Sequence, residues 1–311
     1  MCELPELPAT TSYRPVRTLD LDAGSHPRGN AFLSAASGLV RVGERFYVVA
    51  DDELHLGAFD QSDAPVRLIR LLEGDLPESA KKRKAKKPDL EALLFLPTGV
   101  HTASGHLLAL GSGSRPNRHA GALLTLDASG EVVGAPRRID LEPLYRALGA
   151  RFEQLNIEGA FVAGDELVLL QRGNKGGPSA SIRFALAPWL AWLHDSLADT
   201  PAPTAVQEHD LGHIDGVPFS FTDGAALPDG SWLFSAVAES TGDSYDDGAC
   251  VAAAIGIASP SGRVGRLSVL QPSRKIEGID ARLANGVITV HMVTDADDPE
   301  TPAELGVTTL A

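Results

Sequence analysis

The chain has 311 residues, of which 43% are hydrophobic, so it can bury a substantial core within the span of one large domain. With 31 glycines, 21 prolines and only 5% aromatics, it reads as many short elements joined by turns rather than as long helices. A net charge of −14 argues against nonspecific nucleic-acid or anionic-membrane binding and favours a cationic ligand.

The N-terminal stretch MCELPELPATTSYRP has neither a basic region nor an apolar run, and no later window is apolar enough to span a bilayer. The reading is a soluble, cytoplasmic protein. Two cysteines, Cys2 and Cys250, are too few for a disulfide framework or a zinc site and are expected as free thiols.

Along the chain, VRTLDLDA (Val16 to Ala23) is a lone strand pattern. Five similar units follow it. Their starts are SAASGLVRVGERFYVVAD, PDLEALLFLPTGVHTASGHLLAL, LNIEGAF, SFTDGAALPDGSWLFSAV and KIEGID. Each start leads into an apolar run, a turn rich in Gly, Asp or Asn, and a second apolar run. The equivalent positions are Ser37, Glu91, Glu158, Asp223 and Glu277, separated by 54, 67, 65 and 54 residues. In the first unit the strand patterns continue through LHLGAFD and VRLIRLL, and in the second through GALLTLD and PRRIDL. Four short strands at such a period are the signature of a β-propeller blade.

The last unit is one strand short before Ala311, and Val16–Ala23 has no other partner. The expected fold is therefore all-β, a single five-bladed propeller over residues 1–311, with an N-terminal strand closing the last blade and leaving no open edge. Six blades, one of them degenerate, is the alternative. The longer second and third units hold inserts of helical pattern, LEPLYRALG near Leu141 and PWLAWLHDSL near Pro188. In the latter, Trp189, Trp192 and Leu193 share one face that reads as core.

In a propeller the first strand of every blade lines the central channel, so the five equivalent positions converge on one axis. Carboxylates facing each other there repel strongly and require protons or a cation. An all-oxygen set without His or Cys suits a hard divalent ion. Calcium accepts an irregular oxygen ring more readily than magnesium, which demands an octahedron. Acids in exposed turns are the plain alternative, since EG and DG are ordinary turn phrases.

The ordered set Ser37, Glu91, Glu158, Asp223, Glu277 resembles the pore of the calcium-activated nucleotidases, or apyrases. So do YVVADD, LYRALG, LQRGN and KIEGI. That family carries Ser, Glu, Glu, Ser and Glu in this order, and this chain departs at Asp223. It also has Ala238 where a basic residue is expected. The resemblance implies a five-bladed propeller with one calcium ion on its axis, in a bacterial relative of that family. It does not carry over the activity. Gluconolactonase- and esterase-like propellers also place acids around an axial metal.

Around the mouth, the candidates for an anionic small-molecule substrate are Lys86 and Lys87 at the end of the basic run Lys81–Lys87, Arg115 and Arg118, Arg172, Asn174 and Lys175, and Glu239. Asp51, Asp52 and Asp295 stand nearby. Arginines suit phosphate or carboxylate, and a metal beside them can polarise the same group. The basic run itself reads as a solvated loop. Histidines form no constellation, and nucleophile-elbow, P-loop and dinucleotide motifs are absent. The functional expectation is a calcium-dependent hydrolase of phosphoanhydrides. A non-catalytic calcium-stabilised binding propeller or an esterase- or lactonase-like hydrolase are the alternatives, because the fold hosts all of them.

Overall fold

A computed structural model describes residues 6–98, 104–173, 177–195, 197–240 and 249–310. Five antiparallel β-sheets stand as blades around a central channel. Blade one runs through Ala36–Val42, Arg45–Ala50, His55–Phe59 and Arg67–Arg70. Blade two comprises Leu90–Pro97, Gly105–Gly111, Ala120–Leu126 and Val132–Asp140. Blade three holds Ile157–Ala163, Glu166–Gln171, Ser179–Ala185 and Ala205–His209. Blade four is built on Val217–Ala226, Trp232–Ser240, Ala249–Ala258 and Ser268–Gln271, and blade five on Ile276–Ala284, Val287–Thr294 and Glu304–Leu310.

The first strand of each blade is the innermost, and each packs against the first strands of the two neighbouring blades, so the ring is closed. Apolar side chains on both faces of the blades meet between them. The buried residues accordingly divide into five clusters, one per blade-to-blade interface, including that between blades five and one. Sheets covered on both faces explain why the strands read as near-continuous apolar runs rather than alternating ones.

Arg14–Thr18 pairs antiparallel with Glu304–Leu310 and completes blade five, a few residues earlier in the chain than the Val16–Ala23 expected from the sequence pattern. Just before it, Thr10–Ser12 adds in parallel to the outer edge of blade four, in register with Val269–Gln271. The N-terminal segment therefore spans two blades.

Among the described residues three α-helices decorate this frame. The basic run forms α1, Ala80–Lys86, in place of the expected solvated loop. The inserts form α2, Glu142–Gly149, and α3, Leu186–His194. Leu144, Tyr145 and Leu148 of α2 and Trp189 and Leu193 of α3 join the core between blades two and three, with Trp192 packed partly buried against it. Among the described residues no helix is long and apolar enough to cross a membrane.

Candidate functional site

Every innermost strand carries a β-bulge near its start. The ladder register jumps between Ala36 and Gly38, Leu90 and Ala92, Ile157 and Gly159, Phe221 and Asp223, and Ile276 and Gly278. A bulge leaves one residue out of the ladder and re-aims its side chain. The residues left out are Ser37, Glu91, Glu158, Thr222 and Glu277. Four of the five expected ring positions thus coincide in register. In blade four the position belongs to Thr222, and Asp223 lies one residue beyond it.

Asp223 occupies the position held elsewhere by Gly38, Ala92, Gly159 and Gly278. At this position adjacent inner strands come close. A Cβ on Gly159 would meet the Asp223 Cα at 2.7 Å, and one on Gly278 would meet the Leu39 nitrogen at 2.8 Å. The Asp223 carboxylate is buried and accepts the backbone N–H of Ile279 at 2.9 Å and of Gly224 at 2.7 Å. Burial raises its pKa well above the usual range, although the N–H groups of Ile279, Gly224 and Ala160 oppose that shift. Thr222 is also buried; its hydroxyl donates to the Ile276 carbonyl at 2.8 Å and bonds to Ser235.

Ser37, Glu91, Glu158 and Glu277 line a cavity of about 590 Å³ at one end of the channel, whereas Thr222 and Asp223 do not. Its walls hold ten carboxylates against seven lysines and arginines. Asp51 comes from the turn after the second strand of blade one. Asp89 precedes the first strand of blade two in a left-handed conformation, φ +56°. One oxygen each of Asp51, Asp89 and Glu91 all lie within 4.8 Å of one another.

Four bases are threaded among these acids. The Lys87 ammonium pairs with Asp51 and, at 2.9 Å, with Asp89. Arg118 pairs with Asp89 at 2.6 Å and donates to the Ser114 hydroxyl at 2.7 Å. Arg172 bridges Glu239 and Glu158, the latter at 3.6 Å, and Asn156 also donates to Glu158. Lys275 reaches Glu239 at 3.1 Å, Glu277 at 3.2 Å and Asp297 at 2.7 Å. Glu277 is 4% exposed; one of its oxygens lies near Lys275, and the other has no hydrogen-bond partner among the described residues.

The electrostatic result is a set of reluctant carboxylates. Burial, reinforced by Asp89 and Glu158, holds Glu91 well above the usual carboxylate range. Burial pushes Glu158 up to about 8 against the opposing pull of Arg172. It also raises Glu277 against Lys275, Asp51 against Lys87, and Asp295 against Lys275. Lys87 and Lys275 stay firmly charged, because although burial disfavours their ammonium groups, the neighbouring carboxylates outweigh it.

Of the substrate-binding candidates, Lys87, Arg118, Arg172 and Glu239 lie in this cavity, while Arg115 is exposed on its wall. Lys86 is exposed on α1 and does not line it. Asn174 and Lys175 lie outside the described residues. Asp52 faces away into a buried network with Arg83 at 2.8 Å and Arg28 at 3.5 Å. The sequence reading missed Asp89, Lys275, Asp297 and His119. The last lines the cavity, with one ring nitrogen on Glu142 and the other 3.1 Å from the Gly113 carbonyl. Asp89 and Lys275 each sit two residues before a ring glutamate, a spacing that was visible; His119 carried no signal.

The chain belongs to DUF6929, a family of unknown function, which it matches over residues 32–310. No curated protein matches it. Among solved structures it is similar to a putative exo-β-1,3-galactanase from Bifidobacterium bifidum s17, with 12% identity and a TM-score of 0.50 over 96% of each chain. It is similar also to a GH43_1 enzyme from Xanthomonas citri complexed with xylose, with 13% identity and a TM-score of 0.50 over 93% of this chain and 91% of that one. Regucalcin from Agrobacterium tumefaciens str. C58, a calcium-binding protein, aligns at 9% identity and a TM-score of 0.46 over 98% and 97% of the two chains. At such identities the likeness to the two enzymes shows the propeller fold alone.

Proposed function

We propose that this DUF6929 member binds one divalent cation, calcium, in the axial cavity through Ser37, Glu91, Glu158 and Glu277. The observation that carries the reading is the buried Glu277 carboxylate, with an oxygen that has no hydrogen-bond partner among the described residues, in a cavity where acids outnumber bases. Leaving a buried carboxylate oxygen unpaired is costly, and the donor set is all oxygen, which suits a hard ion with a flexible coordination sphere. Asp223, expected in this set, is left out of it because its oxygens are taken by backbone N–H groups.

A second reading, a calcium-dependent hydrolase of a phosphoanhydride in the manner of the apyrases, is favoured by the outer wall. There Lys84, Arg115 and Arg146 line the cavity, Arg115 and Arg146 being exposed. These side chains would draw an anionic small molecule inward and orient it. Lys87, Arg118, Arg172 and Lys275 are each engaged by carboxylates, so their part is to hold those acids in place. When bound, calcium supplies charge neutralisation and polarisation of a ligand oxygen. A purely binding propeller, or an ester- or lactone-cleaving one in the cytoplasm, shares the cation site but not the need for exposed arginines.

Calorimetric titration separates these readings. Calcium is expected to bind at one ion per chain. With calcium saturating, a nucleoside diphosphate is expected to bind more weakly to an Arg115→Ser/Arg146→Ser variant than to the wild type, with release of inorganic phosphate by the wild type. No calcium binding overturns the first reading; calcium binding without diphosphate binding or phosphate release overturns the second.

A further inference from the structure

We propose that Lys87 is a tethered cation that fills what would otherwise be a second divalent-ion site, and so limits the cavity to one bound ion. The inference rests on the calcium reading above. It concerns the trio Asp51, Asp89 and Glu91, which shares Glu91 with that site and adds Asp51 and Asp89 to it.

The separation of these three carboxylates is suggestive by itself. Their oxygens lie within 4.8 Å of one another, so a point within about 2.8 Å of all three exists, a small contraction away from a calcium–oxygen distance of roughly 2.4 Å. A cation is already there. The Lys87 Nζ carries three donors and one positive charge, and it sits on Asp51 and Asp89. Two like charges cannot share that space: at about 4 Å they repel by several kcal/mol even at the effective dielectric of a protein surface. A divalent ion entering the trio has to displace the ammonium or bind beside it.

Displacement is opposed by the way the lysine is held. Its backbone N–H donates to the Arg83 carbonyl at 2.7 Å, and its own carbonyl accepts from the Asn117 side chain at 2.9 Å. Arg83, one turn earlier on the same face of α1, is buried and donates to Asp52 at 2.8 Å and to the Glu78 carbonyl at 2.7 Å. Consecutive acids, Asp51 and Asp52, thus grip bases four residues apart, Arg83 on α1 and Lys87 at its C-terminal cap. The amine is delivered on a fixed arm. Lysine, a compact point charge on a flexible stem, would be a poor plug without that anchoring.

Wild type and Lys87→Met are compared by calcium titration calorimetry, with equilibrium dialysis counting bound ions. The expected result is one ion per chain in the wild type and two in Lys87→Met, with the count returning to one in Lys87→Met/Asp51→Asn. One ion in both wild type and Lys87→Met overturns this inference and leaves the calcium reading standing. Two ions in the wild type overturn it as well. No ion in the wild type overturns the calcium reading beneath it. If Lys87→Met is insoluble, Lys87→Gln is titrated in its place. Failure of both to fold in saturating calcium also overturns the inference, because a metal able to take the ammonium's place would restore the fold.

Discussion

The Asp223 carboxylate in blade four accepts the backbone N–H of Ile279 in blade five, Oδ2 to N 2.9 Å, and so ties two neighbouring inner strands together at the interface of those blades. Its other oxygen holds the Gly224 N–H. Replacing Asp223 with Ala leaves these buried donors without an acceptor, at a cost of about 1–3 kcal/mol for each group stranded. The variant is expected to melt several degrees lower in calcium and in chelator alike, with an unchanged calcium stoichiometry. Loss of calcium binding in Asp223→Ala, at an unchanged melting temperature in chelator, contradicts the structural role.

Glu158 and Glu277 are expected to behave in the opposite way. A ligand that binds only the folded chain stabilises it by about 2.7 kcal/mol at one hundred times its dissociation constant. Chelation therefore lowers the wild-type melting temperature, and calcium restores it. Glu158→Gln and Glu277→Gln each remove a charge from the ring, and calcium should raise their melting temperatures far less. Differential scanning calorimetry with and without chelator checks this, and equal wild-type melting in both conditions contradicts it.

The pH dependence follows from the same acids. Burial holds the Glu158 pKa near 8 in the folded chain against an ordinary value of 4.5. A carboxyl that keeps its proton more tightly folded than unfolded favours the fold most at low pH; that contribution fades as pH climbs from about 4.5 towards 8. Glu91, Glu277, Asp51 and Asp295 shift in the same direction. In chelator the melting temperature should fall between pH 5 and 8. In calcium the fall should flatten, and calcium affinity should rise over the same window, because the ligands shed protons to bind. Melting curves in chelator that rise with pH run against this assignment.

The N-terminal segment is expected to be indispensable. Residues 10–12 and 14–18 cover the outer edges of blades four and five, and Tyr13 between them is buried in the core at that interface. Deleting residues 1–18 uncovers both edges and removes Tyr13, a combination that exposes strands ready to pair with other chains. The truncated protein should be largely insoluble. A soluble monomer with wild-type melting would show that closure does not depend on this segment.

Much of this was legible in the sequence. The repeat of apolar runs and turns determined the five blades, because each blade must bury both faces and so repeats the same pattern. Four of the five ring positions were legible too, since Ser37, Glu91, Glu158 and Glu277 each directly precede Gly or Ala, and at the three glycines the neighbouring inner strand comes too close for a Cβ. The fifth was misassigned for a physical reason. Thr222 and Asp223 are both polar, a carboxylate looks like a ligand, and only the bulge between Phe221 and Asp223 distinguishes the residue left out of the ladder from its neighbour. Tertiary structure alone decided which charges meet. Lys87 with Asp51, Arg172 with Glu239, and Lys275 with Asp297 are separated in sequence by between 22 and 67 residues, and nothing local specifies their encounter. The basic run looked like a solvated loop because six of its seven residues are charged. It is an anchored helix because Asp52, on a turn of blade one 31 residues earlier, offers the buried Arg83 a partner.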